Sequence, residues 1–318
     1  MLKIRRVLFP TDFSDCSEQA FPYALLFAET HDAELHLFHA LVLHSDDPHH
    51  PAHRFPDSER VFAELHETVD AVLADTAAGH EAHEIKIERV TRRAVSTLPA
   101  VLDYAEECGA DLIVTGTHGR GVLGRVVLGS VVREIVRLAP CPVLTVRQRE
   151  PAVALHRIDR IIAPVDFSPH SALAVAYGRE LATELDAELE VVHVVEESVY
   201  PEFYYPVVTS QSIASGATVE QVEESLREWL TEDGDAGDTA IRVLAGRAAL
   251  EIADLSRGDD SDLIVIASHG RTGFQRVLMG SVAEGVVQHA TCPVITVKPF
   301  GKDLLPGGTG SDVARVVI

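Results

Sequence analysis

The chain has 318 residues, 46% of them hydrophobic, enough for two domains of ordinary size each to bury a core. A formal net charge of -22 with no offsetting basic stretch argues against a nucleic-acid partner, because the long-range field repels phosphodiester backbones. No segment approaches the roughly 20 apolar residues of a membrane span, and Met1-Leu2-Lys3-Ile4 runs into the first strand without a cleavable apolar segment, so a cytoplasmic protein with no membrane partner is expected.

Taken in chain order, apolar runs predict strands over Arg6 to Pro10, Glu34 to Ala40, Glu84 to Val90, Asp111 to Thr115 and Val143 to Val146, with helices beginning near Ser14, Ser58, Val95 and Ser130. The series then starts again, with strands near Arg160 to Pro164, Glu188 to Val194, Ala240 to Leu244, Asp262 to Ala267 and Val294 to Val297. Runs such as Val7-Leu8-Phe9 and Leu112-Ile113-Val114 are apolar throughout, which indicates strands buried on both faces of a parallel sheet. Ser168-Pro169 supplies an N-cap and a first-turn proline for the helix that follows. The fold class is α/β: two tandem doubly wound domains, each a five-stranded parallel sheet flanked by helices. The expected domains are 1–150 and 151–300, followed by a C-terminal tail over 301–318. Flexibility is expected from Pro299-Phe300-Gly301 onward, with Val313 to Ile318 a candidate docked strand.

The second series repeats the first in detail. Val7-Leu8-Phe9-Pro10-Thr11-Asp12-Phe13-Ser14 returns as Ile161-Ile162-Ala163-Pro164-Val165-Asp166-Phe167-Ser168, and Leu35-His36-Leu37-Phe38-His39 returns as Leu189-Glu190-Val191-Val192-His193. Ala139-Pro140-Cys141-Pro142-Val143 returns as Ala290-Thr291-Cys292-Pro293-Val294. The period is a whole domain and not a solenoid unit. Cys16, Cys108, Cys141 and Cys292 form no C-x-x-C pair and read as packing residues.

One duplicated loop carries the chemistry. Gly116-Thr117-His118-Gly119-Arg120 leads on through Arg125 to Gly129-Ser130-Val131. Its copy, Ala267-Ser268-His269-Gly270-Arg271, leads through Arg276 to Gly280-Ser281-Val282. Each loop joins a strand end to a helix start, where bare backbone N–H groups and the positive end of the helix dipole suit a phosphate. Gly119 and Gly129 permit close backbone approach, Ser130 serves as cap and hydroxyl donor, and the histidines and arginines put donors around the cradle. Ligands of such sheets sit at the carboxyl edge, where neighbouring crossovers leave to opposite faces, and Pro10-Thr11-Asp12 and Pro164-Val165-Asp166 end strands there. Two alternatives stay open: the aspartates as ordinary helix caps, and His118 and His269 as partners of loop carbonyls.

Gly119-Arg120-Gly121-Val122-Leu123-Gly124 matches the dinucleotide fingerprint but follows the fourth strand, not the first, and the second copy breaks it with Thr272 and Gln275. The G-x-x-x-x-G-K-[ST] frame is absent from the sequence, which excludes a P-loop nucleotidase.

With its repeated strand ends and glycine loops, the chain resembles the universal stress protein family, in a tandem two-domain form, over nearly its whole length. The family's frame of Gly, two residues, Gly, nine residues, Gly, then Ser or Thr is complete in Gly116, Gly119, Gly129 and Ser130. The second copy has Gly270, Gly280 and Ser281 but Ala267 in the leading place, where an extra methyl is expected to crowd a ligand. The resemblance implies an ATP or other adenine nucleotide cofactor, with magnesium accompanying the phosphates. Asp12 and Asp166 are then implied at the adenosine portion, and the backbone of Ala40 and Val194 at adenine. It also implies that the halves form an intramolecular pseudo-dimer through Val143 to Val146 and Val294 to Val297. Physics supports that independently, since each is an apolar sheet edge held near its partner by the Arg147 to Arg157 linker. Homodimerisation through another surface is left open.

Two insertions differ between the copies. His44, His49, His50 and His53 with Asp46 and Asp47 make a His-rich segment, read as a solvated loop with no metal site. Tyr200, Phe203, Tyr204 and Tyr205 form an aromatic insertion read as packing over the sheet edge. The expected function is nucleotide-dependent conformational or partner regulation in a stress response, with no catalytic residue assigned. A slow ATPase and a nucleotide-free scaffold are the alternatives.

Overall fold

The computed structural model describes residues 1–42, 63, 85–119, 128–149, 157–196, 219–232, 239–257, 262–270 and 279–307. In the first half the elements run β1 (Arg6–Pro10), α1 (Asp15–Thr30), β2 (Glu34–Val42), β3 (Ile87–Ala94), α2 (Thr97–Cys108), β4 (Leu112–Gly116), α3 (Ser130–Leu138) and β5 (Val143–Val146). The second half has β6 (Arg160–Val165), α4 (Pro169–Leu185), β7 (Glu188–Val195), α5 (Val219–Glu232), β8 (Ala240–Ala245), α6 (Ala248–Leu255), β9 (Asp262–Ala267), α7 (Ser281–His289) and β10 (Val294–Val297). The expected helix near Ser58, the His-rich and aromatic insertions, and the candidate strand at Val313 to Ile318 lie outside the described residues.

All these strands belong to one sheet in the order β3-β2-β1-β4-β5-β10-β9-β6-β7-β8. Pairing is parallel within each half. The halves meet where β5 and β10 run antiparallel, with Thr145 opposite Val294, Leu144 opposite Ile295 and Val143 opposite Thr296. The pseudo-dimer is therefore a continuous sheet, and each half's open apolar edge is satisfied by the other. Strands β4, β5, β9 and β10 are buried along their whole length, whereas the outer strands β3 and β8 are only partly covered. That gradient explains the continuous apolar runs at the centre and the mixed sequences at the margins.

Helices cover both faces. On one, Phe21, Leu25 and Phe27 of α1 and Leu173, Tyr177 and Leu181 of α4 share an apolar layer with Val114, Leu144, Val265 and Ile295. On the other, Val101 of α2, Ile135 of α3, Ile252 of α6 and Val286 of α7 pack on Ile113, Val143, Ile264 and Val294. Both layers cross the seam, and each fully buried aliphatic side chain there contributes about 1.5–3 kcal/mol.

Three expectations need correction. β3 begins at Ile87, three residues later than Glu84, because β2 extends to Val42 and pairs residue for residue from Leu35 opposite Ile87 to Val42 opposite Ala94. Helix α2 starts at Thr97, after Ser96, while Val95 remains solvent-exposed. Within the expected flexible tail, Leu304 and Leu305 are docked. Leu304 and Leu305 are buried, Lys3 N donates to Leu304 O at 2.8 Å and Leu304 N donates to the Tyr177 hydroxyl at 3.0 Å. Two adjacent leucines supply the burial that the surrounding glycines concealed. The cysteines are free, as packing residues should be, and burial pushes the Cys141 and Cys292 thiols up to about 12, which leaves them unreactive.

Candidate functional site

β1 lies between β2 and β4, with α1 on one face and α3 on the other, so the gap between β1 and β4 is the switch point of the first half. The β6–β9 gap is its counterpart. Pro10, Thr11 and Asp12 arrive at that edge from β1, and Pro164, Val165 and Asp166 from β6. Gly116 and Ala267 close β4 and β9, while Ala40 and Val194 sit in β2 and β7. Arg120 and Arg271 lie outside the described residues.

The turn after β1 is tightly specified. Phe13 has a φ of 57° and Phe167 a φ of 61°, left-handed conformations for bulky residues at equivalent positions, each costing about 1–3 kcal/mol. Asp12 Oδ1 accepts from Ser14 N at 3.1 Å and from Ser14 Oγ at 2.7 Å; Asp166 Oδ1 accepts from Ser168 N at 3.1 Å. The helix caps are Ser14 and Ser168, whose side chains accept from Ser17 N and Ser171 N. The aspartates are thus not the caps; they close their own turns.

The left-handed turn swings each phenylalanine over a histidine: Phe13 over His39 with centroids 4.8 Å apart, Phe167 over His193 at 4.7 Å. His39 Nδ1 lies 2.7 Å from Thr11 O and His193 Nδ1 2.9 Å from Val165 O, and since a carbonyl only accepts, Nδ1 carries the proton. Sequence reasoning assigned these histidines no role, although both stood in the repeated strand motif.

The glycine loops meet the aspartates directly. A Cβ on Gly119 would stand 2.6 Å from Asp12 Oδ2, and one on Gly270 would collide likewise with Asp166 Oδ2. Each loop closes on itself, Gly129 N donating to Thr117 O at 2.9 Å and Gly280 N to Ser268 O at 2.8 Å. Ser130 and Ser281 open their helices without capping them. The N-caps are Gly129 and Gly280, and neither helix has a side-chain cap hydrogen bond. Val131 and Val282 follow in the first turn and pack on the core below. His118 Nδ1 and His269 Nδ1 lie 2.8 Å from the neighbouring hydroxyls of Thr117 and Ser268.

The leading loop position also has a packing role. A Cβ on Gly116 would lie 2.8 Å from Cys16 Sγ and 2.9 Å from Cys16 O, in the first turn of α1. The second copy combines Ala267 with His170 in place of Cys16. The Ala267 methyl is buried in the apolar layer to which helix α4 contributes.

A charge difference does separate the copies. Arg133 in the first turn of α3 corresponds to Glu284 in the first turn of α7, and the two form an ion pair of 3.2 Å across the seam. Among the described residues no cluster of His, Cys, Asp and Glu is placed to hold a metal ion, and no helix is long and apolar enough to cross a membrane.

This duplicated edge coincides with a known family pattern. The sequence profile described as the universal stress protein family matches residues 3–147 and 157–298, and the chain belongs to that family. A universal stress protein of Mycolicibacterium smegmatis is 28% identical over 302 residues, spanning 92% of this chain and 97% of its own. A single-domain-sized relative from Methanocaldococcus jannaschii is 34% identical over 145 residues, 45% of this chain and 84% of its own. Among solved structures, a putative universal stress protein from Pseudomonas aeruginosa superposes with a TM-score of 0.63 at 17% identity, covering 98% of this chain and 97% of that one, a likeness of fold.

Proposed function

We propose that each half binds an adenine nucleotide, ATP foremost, and that occupancy regulates the conformation or partners of this universal stress protein. One observation carries the reading: in both copies an aspartate carboxylate, a glycine on which a Cβ would press against that carboxylate and a helix start without a side-chain cap meet at the switch point. The first-turn amides of α3 and α7 suit phosphate oxygens. Asp12 and Asp166 suit ribose hydroxyls, whose protons a carboxylate accepts, and the backbone of Ala40 and Val194 suits the base edge. Magnesium, when bound, neutralises phosphate charge; with no described carboxylate cluster, its ligands would be phosphate oxygens and water. No residue is assigned to activate water, so binding rather than turnover is the proposed activity.

Calorimetric titration with ATP is the test. Gly119→Ala and Asp12→Ala should each weaken the first site tenfold or more, about 1.4 kcal/mol. Unchanged affinity in both variants would remove the assignment, and wild-type protein that binds no nucleotide would leave the scaffold reading. Phosphate release at a rate above background would convert the proposal to a slow ATPase.

A further inference from the structure

The two helices that begin at the glycine loops end at residues supplied by the opposite half. Lys298 directly follows β10, and its Nζ donates at 2.7 Å to the carbonyl of Ala139, the C-cap of α3. Arg147 directly follows β5, and its Nη1 donates at 2.6 Å to the carbonyl of Gln288 in the last turn of α7. The exchange is reciprocal because β5 and β10 run antiparallel, so each strand carries its next residue past the seam onto the other half. The carbonyls are not strictly equivalent, but both belong to the terminal set that a helix cannot satisfy internally.

Packing does not explain the choice of residues. Lys298 is 7% exposed, and a buried ammonium is costly where an apolar side chain would hold the seam more cheaply. What the donor adds is a fixed C-terminal end for a rigid rod of nine residues, about two and a half turns, whose other end presents the loop amides. At the end of α7 the Arg147 cation also reinforces the dipole that attracts an anion at the start.

We propose that Lys298 and Arg147 are positioning residues acting across the seam: Lys298 sets the nucleotide-binding helix of the first half, and Arg147 that of the second. The proposal rests on the adenine-nucleotide reading only for its effect on affinity. The arrangement of the helices is tested without ligand.

In full-length protein, Lys298→Met should accelerate hydrogen exchange in the last turn of α3 and leave α7 unchanged, and Arg147→Met should do the reverse. For affinity, an Asp166→Ala background leaves the first site to be titrated with ATP, and an Asp12→Ala background leaves the second. Lys298→Met should then weaken the first site about three- to fivefold and spare the second, with Arg147→Met giving the mirror result. Lys298→Arg and Arg147→Lys should restore most of each loss. A crossed exchange pattern in protein that binds no ATP would uphold the positioning and remove the nucleotide assignment. Equal changes in both helices, or changes confined to the half that carries the substitution, would overturn the inference.

Discussion

Burial lowers the Lys298 ammonium from its usual range to about 7, with the Cys141 thiol opposing that shift only in part. The folded value lies below the unfolded one, so the unfolded chain binds the extra proton between about pH 7 and the ordinary lysine range, and stability rises with pH across that window. Below about 7 the full burial penalty is present. Lys298→Met, which has no such titration, should therefore compare most favourably with wild type in melting temperature at pH 6.5 and least favourably at pH 9.5. An identical difference at both values would contradict it. Gly116 offers a second test at this scale. Its missing Cβ accommodates Cys16, so Gly116→Ala should destabilise the first half by about 1–3 kcal/mol through overpacking, measurable by denaturant unfolding.

Helices α3 and α7 are the same element with opposite first-turn charge. Arg133 favours an anion at the start of α3, while Glu284 opposes one at the start of α7, and their exposed ion pair contributes little stability of its own. The second site should accordingly bind ATP more weakly than the first. Glu284→Gln should tighten it about two- to fivefold, read by titration of protein carrying Asp12→Ala. No gain would mean that the Glu284 side chain lies outside the field of the phosphates. The turn after β1 obeys the same element-level logic in both copies, since its left-handed phenylalanine is held by an imidazole that also donates to the strand-end carbonyl.

At the scale of the molecule, the halves are joined by far more than the linker. They share the β5–β10 pairing, two apolar layers, the Arg147 and Lys298 exchanges and the passage of residues 302–305 back across the first half, where Lys302 N donates to Pro140 O at 3.0 Å. A protease site inserted between Glu150 and Arg157 should give two fragments that co-elute as one particle after cleavage. Fragments that separate on size exclusion without denaturant would show that the covalent link, not the seam, holds the pair.

The sequence by itself determined the duplicated α/β order, most strand positions and the placing of Asp12 and the glycine loop at one edge of the sheet, because parallel strands, apolar runs and strand-to-helix glycines are local signals that the repeat wrote twice. It also placed Val143 to Val146 against Val294 to Val297, since two apolar edges on one chain have few other ways to be satisfied. It did not reveal that Ser14 rather than Asp12 caps α1, that Gly116 answers to Cys16, or that His39 and His193 brace the turn. Each depends on a backbone angle or a contact between residues far apart in the chain. Only the tertiary structure decided that Leu304 and Leu305 dock, and that Lys298 and Arg147 end on each other's helices. Those contacts arise from the antiparallel crossing of β5 and β10, which carries each chain segment into the opposite half, and nothing in the local sequence encodes where such a segment lands.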